Sequence, residues 1–197
     1  MVVVLPPYVK YEPIKVGDVV HFSPNWSPTE IFGDKYFRVR ANLLKRLTKS
    51  FVLNSGSTYN FVLNDDSGLL PQSATTMYEI MVGMKGHALL YIMWPESDYL
   101  FRLEKTGFQP NPTEADKRYI GHLLVEEIGL KEPKLILYTT QKMDTINLRF
   151  YNDTDSPQKI VLVFHINHIK LETTSPPSGA IIREIKHWRD IREEGLY

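Results

Sequence analysis

The 197-residue sequence predicts a β-rich fold, all-β with a minor α component: an antiparallel β-sandwich with one inserted helix and a C-terminal amphipathic helix. Most of the chain alternates at period two in short runs rich in β-branched and aromatic residues. Clusters of Gly, Pro, Asn, Asp and Ser separate these runs, and 43% hydrophobic with 12% aromatic content is enough to build a core. Eight or nine runs at this spacing fit a sandwich or barrel of one principal domain.

Ile14 to Phe22 is the first strand, closed by Ser23-Pro24. Phe51-Val52-Leu53 and Tyr59 to Leu63 flank Asn54-Ser55-Gly56-Ser57, a hairpin-type turn. Further strands are expected at Thr75–Met84, His87–Met93, Tyr99–Leu103, Lys134–Thr140, Thr145–Tyr151 and Lys159–Leu171. The last two read as one hairpin.

Asn111-Pro112-Thr113-Glu114-Ala115-Asp116 offers an N-cap and first-turn acids. Ile120, Leu124 and Ile128 then recur at i+4, and Gly129 and Pro133 mark a stop, so a helix is expected over 113–129. A second helix is expected over 181–192, where Ile181, Ile182, Ile185, Trp188 and Ile191 line one face and charged residues the other. It follows the stiff segment Thr173 to Gly179, which contains Pro176-Pro177. Ala41 to Lys49 reads as one or two short helical turns. The expected organisation is an N-terminal arm over 1–13, a sandwich over 14–172, and a Pro-rich linker with a helical arm over 173–197.

Lys159 to Leu171 is apolar on both faces, with Ile160, Leu162, Phe164 and Ile166 on one side and Val161, Val163, Ile169 and Leu171 on the other. The second face needs a cover, either from this chain or from a neighbouring subunit.

Twenty-three Lys plus Arg balance 23 Asp plus Glu, so no global basic field favours nucleic acid. Arg38, Arg40, Lys45, Arg46 and Lys49, beside Tyr36, Phe37 and Phe51, are the one basic stretch through which such binding would run; a solvated surface is the simpler reading. Zero Cys excludes disulfides and thiolate chemistry, and with 13 Pro against 11 Gly it is compatible with a hot or harsh environment. Met1 to Leu5 is too short for a signal or membrane segment, and no later run approaches about 18 apolar residues, so a soluble protein is expected.

Candidate chemical sites are sparse. His165 and His168 are three apart, and on a strand that spacing faces opposite sides and cannot chelate. Asp153 and Asp155 form an Asp-x-Asp after a strand, the arrangement by which metal-dependent glycosyltransferases present carboxylates to a divalent cation. An ordinary turn through Ser156-Pro157 explains the same residues. Asn152-Asp153-Thr154 and Asn25-Trp26-Ser27 are N-x-S/T sequons expected on surface loops. Glu126-Glu127 diverge on the expected helix and make no glycosidase pair. Trp26, Trp94 and Trp188 are candidates for a carbohydrate platform. No catalytic residue and no cofactor is expected.

The order of strands, the inserted helix, and the terminal pair Thr145-Ile-Asn-Leu-Arg-Phe-Tyr-Asn and Lys159-Ile-Val-Leu-Val-Phe-His-Ile-Asn-His-Ile resemble viral structural proteins built on a jelly roll, such as capsid or vertex subunits. The resemblance covers residues 14–171 by pattern. It implies a homo-oligomeric, non-enzymatic virion component whose partners are copies of itself and other subunits of a virion or another extracellular or cytoplasmic assembly. The Ile181, Ile182, Ile185, Trp188 and Ile191 stripe is its expected assembly interface, because a tethered apolar face requires burial. A carbohydrate-binding sandwich is the alternative expectation, and a metal-dependent glycosyltransferase using Asp153 and Asp155 a further one.

Overall fold

The computed structural model describes residues 12–26, 31–63, 75–86, 88–93, 99–103, 119–125, 135–140, 146–179, 181–187 and 190. Strands formed among these residues are β1 (Val19–Phe22), β2 (Tyr36–Leu53), β3 (Thr58–Leu63), β4 (Thr76–Lys85), β5 (Ala88–Met93) and β6 (Tyr99–Leu103). They are followed by β7 (Tyr119–Val125), β8 (Leu135–Thr139), β9 (Ile146–Tyr151), β10 (Gln158–Thr174) and β11 (Ile182–Ile185). Two sheets result, one of seven strands in the order β11-β1-β2-β10-β4-β8-β6 and one of four in the order β3-β9-β5-β7. All pairings are antiparallel except that of β1 with β11.

The pairing is nested. β5 pairs β7, β4 pairs β8, β3 pairs β9 and β2 pairs β10, so each strand on the way in meets its counterpart on the way out. From β2 to β10 every successive strand lies in the other sheet. The two expected hairpins are therefore corrected. Asn54 to Ser57 joins β2 in the large sheet to β3 in the small one, and residues 152–157 join β9 to β10 in the same way. A turn sequence reports a reversal of direction, and an arch between sheets reverses it as well as a hairpin does.

Three helical expectations are overturned. Tyr119–Val125 is β7, in register with β5 at Leu124↔Leu89 and His122↔Tyr91; the rest of the expected helix lies outside the described residues. Spacing at i+4 is common to the helical period and to an even number of strand steps, so Ile120 and Leu124 fit both. Ile182–Ile185 is β11, parallel to β1 from Val19↔Ile182 to Phe22↔Ile185, so the expected 181–192 helix fails over this part; Asp190 is helical, and 188, 189, 191 and 192 lie outside the described residues. Ala41 to Lys49 lies inside β2, whose register with β10 runs from Leu53↔Gln158 to Tyr36↔Thr174 with a bulge between Lys170 and Leu171. Seventeen residues of β10 offering ladder partners outweigh the weak helical preference of Leu43, Leu44 and Leu47.

The centre of the large sheet, around β4 and β10, is buried on both faces. One face meets the small sheet, where Phe61 stacks on Phe164 with centroids 5.2 Å apart and Phe51 on Tyr59 at 4.0 Å, beside buried Leu148 and Phe150. On the other, Ile169 and Leu171 join Ile14, Val20, Phe22, Trp26, Phe37 and Val39 in the continuous core. Val163, Ile169 and Leu171 are all buried within the single chain, so the second apolar face of β10 is covered intramolecularly at these positions. Burying one such aliphatic or Phe side chain contributes roughly 1.5–3 kcal/mol. Alternation with a wet face is lost wherever a sheet has cover on both sides.

Candidate functional site

Buried polar side chains gather where the segment around Ile14 meets β4, β10 and β11 of the large sheet. Glu79 sits in β4 and Asn167 in β10, directly opposite in register, and neither is exposed. The Asn167 amide donates to Glu79 Oε1 at 3.1 Å and to the Ile14 carbonyl at 2.7 Å. Glu79 Oε1 also accepts from the Ile14 backbone N–H at 2.9 Å, and the Asn42 amide donates to Asn167 Oδ1 at 3.1 Å. Arg183 of β11 approaches Glu79 Oε2 at 3.8 Å and Asp18 at 3.6 Å, and donates to the Glu12 carbonyl at 3.0 Å. A segment outside the ladders leaves its own N–H and C=O groups to be satisfied by side chains, and these residues do that for Ile14.

On the opposite face of β1, His21 bridges two acids. Its Nδ1 lies 2.7 Å from Glu184 Oε2 on β11, and its Nε2 lies 2.9 Å from Asp34 Oδ1, with the ring stacked on Tyr36 at 4.3 Å. Asp34 holds a φ of 56°, the left-handed region that a short polar side chain tolerates. Burial of the imidazole opposes its charged form, but hydrogen bonds and charge from Glu184 and Asp34 outweigh that and raise the His21 pKa above its usual 6.5.

Farther along, Asp190 accepts hydrogen bonds from Ser23 Oγ, from the Asn25 amide and, at 2.7 Å, from the His187 backbone N–H. Trp26 Nε1 donates to the Ile185 carbonyl at 2.9 Å, and the His187 ring packs edge-on to Trp26. Ser23, His187 and Asp190 are thus brought together, but His187 meets the other two through its backbone nitrogen, which abstracts no proton from a serine.

The sequence-derived candidates fall as follows. Asp153 and Asp155 are exposed on the arch between β9 and β10. That arch is organised by Asn152, which is fully buried. Its amide donates to the Leu53 and Ser156 carbonyls at 2.8 and 2.9 Å, while its Oδ1 accepts from Thr154 N and Oγ1 at 2.9 and 2.6 Å. The surface-loop expectation for this sequon is corrected, since its amide nitrogen is spent on the fold. Asn25 of the second sequon is engaged by Asp190, and Ser27 lies outside the described residues. Trp26 is fully buried and lines no platform; Trp94 and Trp188 lie outside the described residues.

His165 aligns with Arg46 and Met81, His168 with Leu43 and Tyr78, on opposite faces of the sheet. His168 is buried and stacks on Tyr78 at 4.3 Å, whereas burial, aided by Arg46, lowers the His165 pKa. The register with β10 places Arg38, Lys45 and Lys49 on one face of β2 and Arg46 on the other, and Arg40 pairs with Glu172 at 3.2 Å. Three of the five cations thus share one face of β2. Of the expected interface, Ile185 is buried in the core, Ile182 is half-buried and Ile181 is exposed; Ile191 lies outside the described residues. Among the described residues no group of three or more His, Asp or Glu is arranged to hold a metal ion, and no helix is long and apolar enough to cross a membrane.

Glu79, Asn167, His21, Asp34 and Glu184 were not singled out by sequence. A signal existed for the first two, because an acid inside Thr76–Val82 and an amide inside Lys159–Leu171 interrupt otherwise apolar runs, and such groups require buried partners. His21 and Glu184 are 163 residues apart and carry no local signal. Comparison of the chain with protein-family models, curated proteins and solved structures returned no match.

Proposed function

We propose that this chain is a structural, non-enzymatic subunit of a homo-oligomeric assembly of the virion type, built on a jelly roll. The nested strand order carries the reading. Setting aside β1, β6 and β11, the eight remaining strands run β2-β10-β4-β8 in one sheet and β3-β9-β5-β7 in the other. Numbered one to eight, these are 1-8-3-6 facing 2-7-4-5, the order produced when one long antiparallel ribbon is wound into two Greek keys. Fold alone does not assign function. Two further observations favour a scaffold: the buried polar groups around Ile14 and Asn152 hold backbone segments in place, and exposed Leu43, Leu44 and Ile181 offer apolar contact surface. Zero formal net charge leaves little long-range repulsion between copies.

The native mass of the full chain tests this. Sedimentation velocity and negative-stain imaging over a range of concentration and salt are expected to show discrete oligomers or closed particles. A strict monomer throughout that range overturns the proposal.

A further inference from the structure

We propose that the Glu184–His21–Asp34 bridge is a pH-sensitive latch that holds the C-terminal strand β11 on the large sheet, closed when His21 is protonated and loosened when it is not. The three residues come from three separate elements: β11, β1 and the turn preceding β2. Both ring nitrogens face carboxylate oxygens, at 2.7 and 2.9 Å. A carboxylate only accepts, so both contacts are hydrogen bonds only when both nitrogens carry protons, that is, in the imidazolium. A neutral ring donates to one acid and turns a lone pair on the other, converting one attraction into a repulsion.

Besides this bridge, β11 is held by its ladder to β1, by Arg183, and by buried Ile185, whose carbonyl accepts from Trp26 Nε1. Among the described residues β11 is a four-residue edge strand, reached through Pro176-Pro177, whose ladder runs to one neighbour, β1. Short edge strands have the lowest local stability of a sheet, so a change in one side-chain bridge alters how often they open. Other ionisable groups on the same face are Tyr36, stacked on the ring, and Arg38, opposite Val19 on β2. Lys35 and Lys186 flank the strand ends. Arg183 and Asp18 pair with each other at 3.6 Å, with Arg183 also reaching buried Glu79, so that pair anchors β11 from the other face. Against the opposing effect of burial, hydrogen bonds and charge from Glu184 and Asp34 raise the His21 pKa, which places the transition above 6.5.

Two measurements on the full chain test the latch. Ring-nitrogen NMR of His21 should show both nitrogens protonated at low pH and a midpoint above 6.5. Amide-exchange protection factors, referred to intrinsic rates, should fall severalfold for residues 182–185 as pH rises through that midpoint and stay level for Leu162, Phe164 and Ile166 of β10. His21→Gln should abolish the pH response of β11. If that variant does not fold, Glu184→Gln, at an exposed position, should lower the His21 midpoint and shrink the response. A native midpoint at or below 6.5, β11 protection that is level through the midpoint, or a midpoint unmoved by Glu184→Gln would overturn the latch.

Discussion

Asn167 and Glu79 stand opposite each other across the β10–β4 ladder, and the Asn167 amide donates to Glu79 Oε1 at 3.1 Å with neither residue exposed. The same amide donates to the Ile14 carbonyl, so one side chain ties two central strands to the segment that covers them. Asn167→Leu matches the apolar surroundings but removes both donors, so Glu79 Oε1 and the Ile14 carbonyl each lose one buried hydrogen bond. The expected cost is about 3 kcal/mol, read as a lower urea midpoint with unchanged slope. A loss below about 1 kcal/mol would show that the pair is not a tether.

Gly86 joins β4 to β5 with φ 105°. A Cβ there would collide with the Lys159 carbonyl oxygen and lie 2.9 Å from Ile160 Cδ1, so strain in the backbone and contact with β10 act together. Gly86→Ala should cost at least about 2 kcal/mol. Calorimetry should then show a melting temperature lower by about 2 to 4 °C for each kcal/mol lost, and an unshifted melting temperature would refute the close approach.

Asn152 and Asp155 share the β9–β10 arch, yet opposite outcomes are expected for them. Asn152→Asp replaces two donated hydrogen bonds by oxygens facing the Leu53 and Ser156 carbonyls, and should destabilise by about 2–3 kcal/mol in denaturant titration. Asp155→Ala, at an exposed position, should stay within about 0.5 kcal/mol of the native protein. Equal effects would mean that the acids, not the asparagine, organise the arch.

His21 and His165 pull the pH dependence in opposite directions. The His21 pKa is raised in the fold, so its contribution is fully present below about 6.5, the unfolded value, and is lost as pH rises through the folded pKa. The His165 pKa is lowered, so stability is lost as pH falls through about 6.5, where the unfolded state gains the proton first. Relative to the native protein, His21→Gln should lose more stability at pH 5.5 than at pH 8.5, while His165→Gln should recover stability at the acid end. Chemical denaturation at both pH values measures this; parallel curves for native protein and His21→Gln would remove the assigned role.

Much of the strand inventory was legible in the sequence. Tyr99–Leu103 is a strand as expected, and Thr75–Met84, Lys134–Thr140, Thr145–Tyr151 and Lys159–Leu171 differ from β4, β8, β9 and β10 by at most three residues at either end. Alternation of branched residues between turn formers is a local property, and local sequence is enough to write it. Three segments misled for one reason. Ile120 with Leu124, Leu43 with Leu47 and Ile181 with Ile185 are spaced by four, a distance at which helix and strand both return a side chain to the same face. What separates the two is the presence of a ladder partner, and those partners, β5, β10 and β1, lie far away in the chain or across a sheet.

By itself, then, the sequence determined that this protein is β-rich and holds enough apolar residues for a core, because hydrophobicity and alternation are written residue by residue. Tertiary structure alone decided which strands pair, that turns at Asn54–Ser57 and 152–157 are arches between sheets, and that the second face of β10 is covered from within the chain. It also decided which polar residues matter. His21 meets Glu184 across 163 positions, and Glu79 meets Asn167 across 88. The free energy of such a pair depends on a distance that exists only after the ribbon has wound, so no window of sequence contains it.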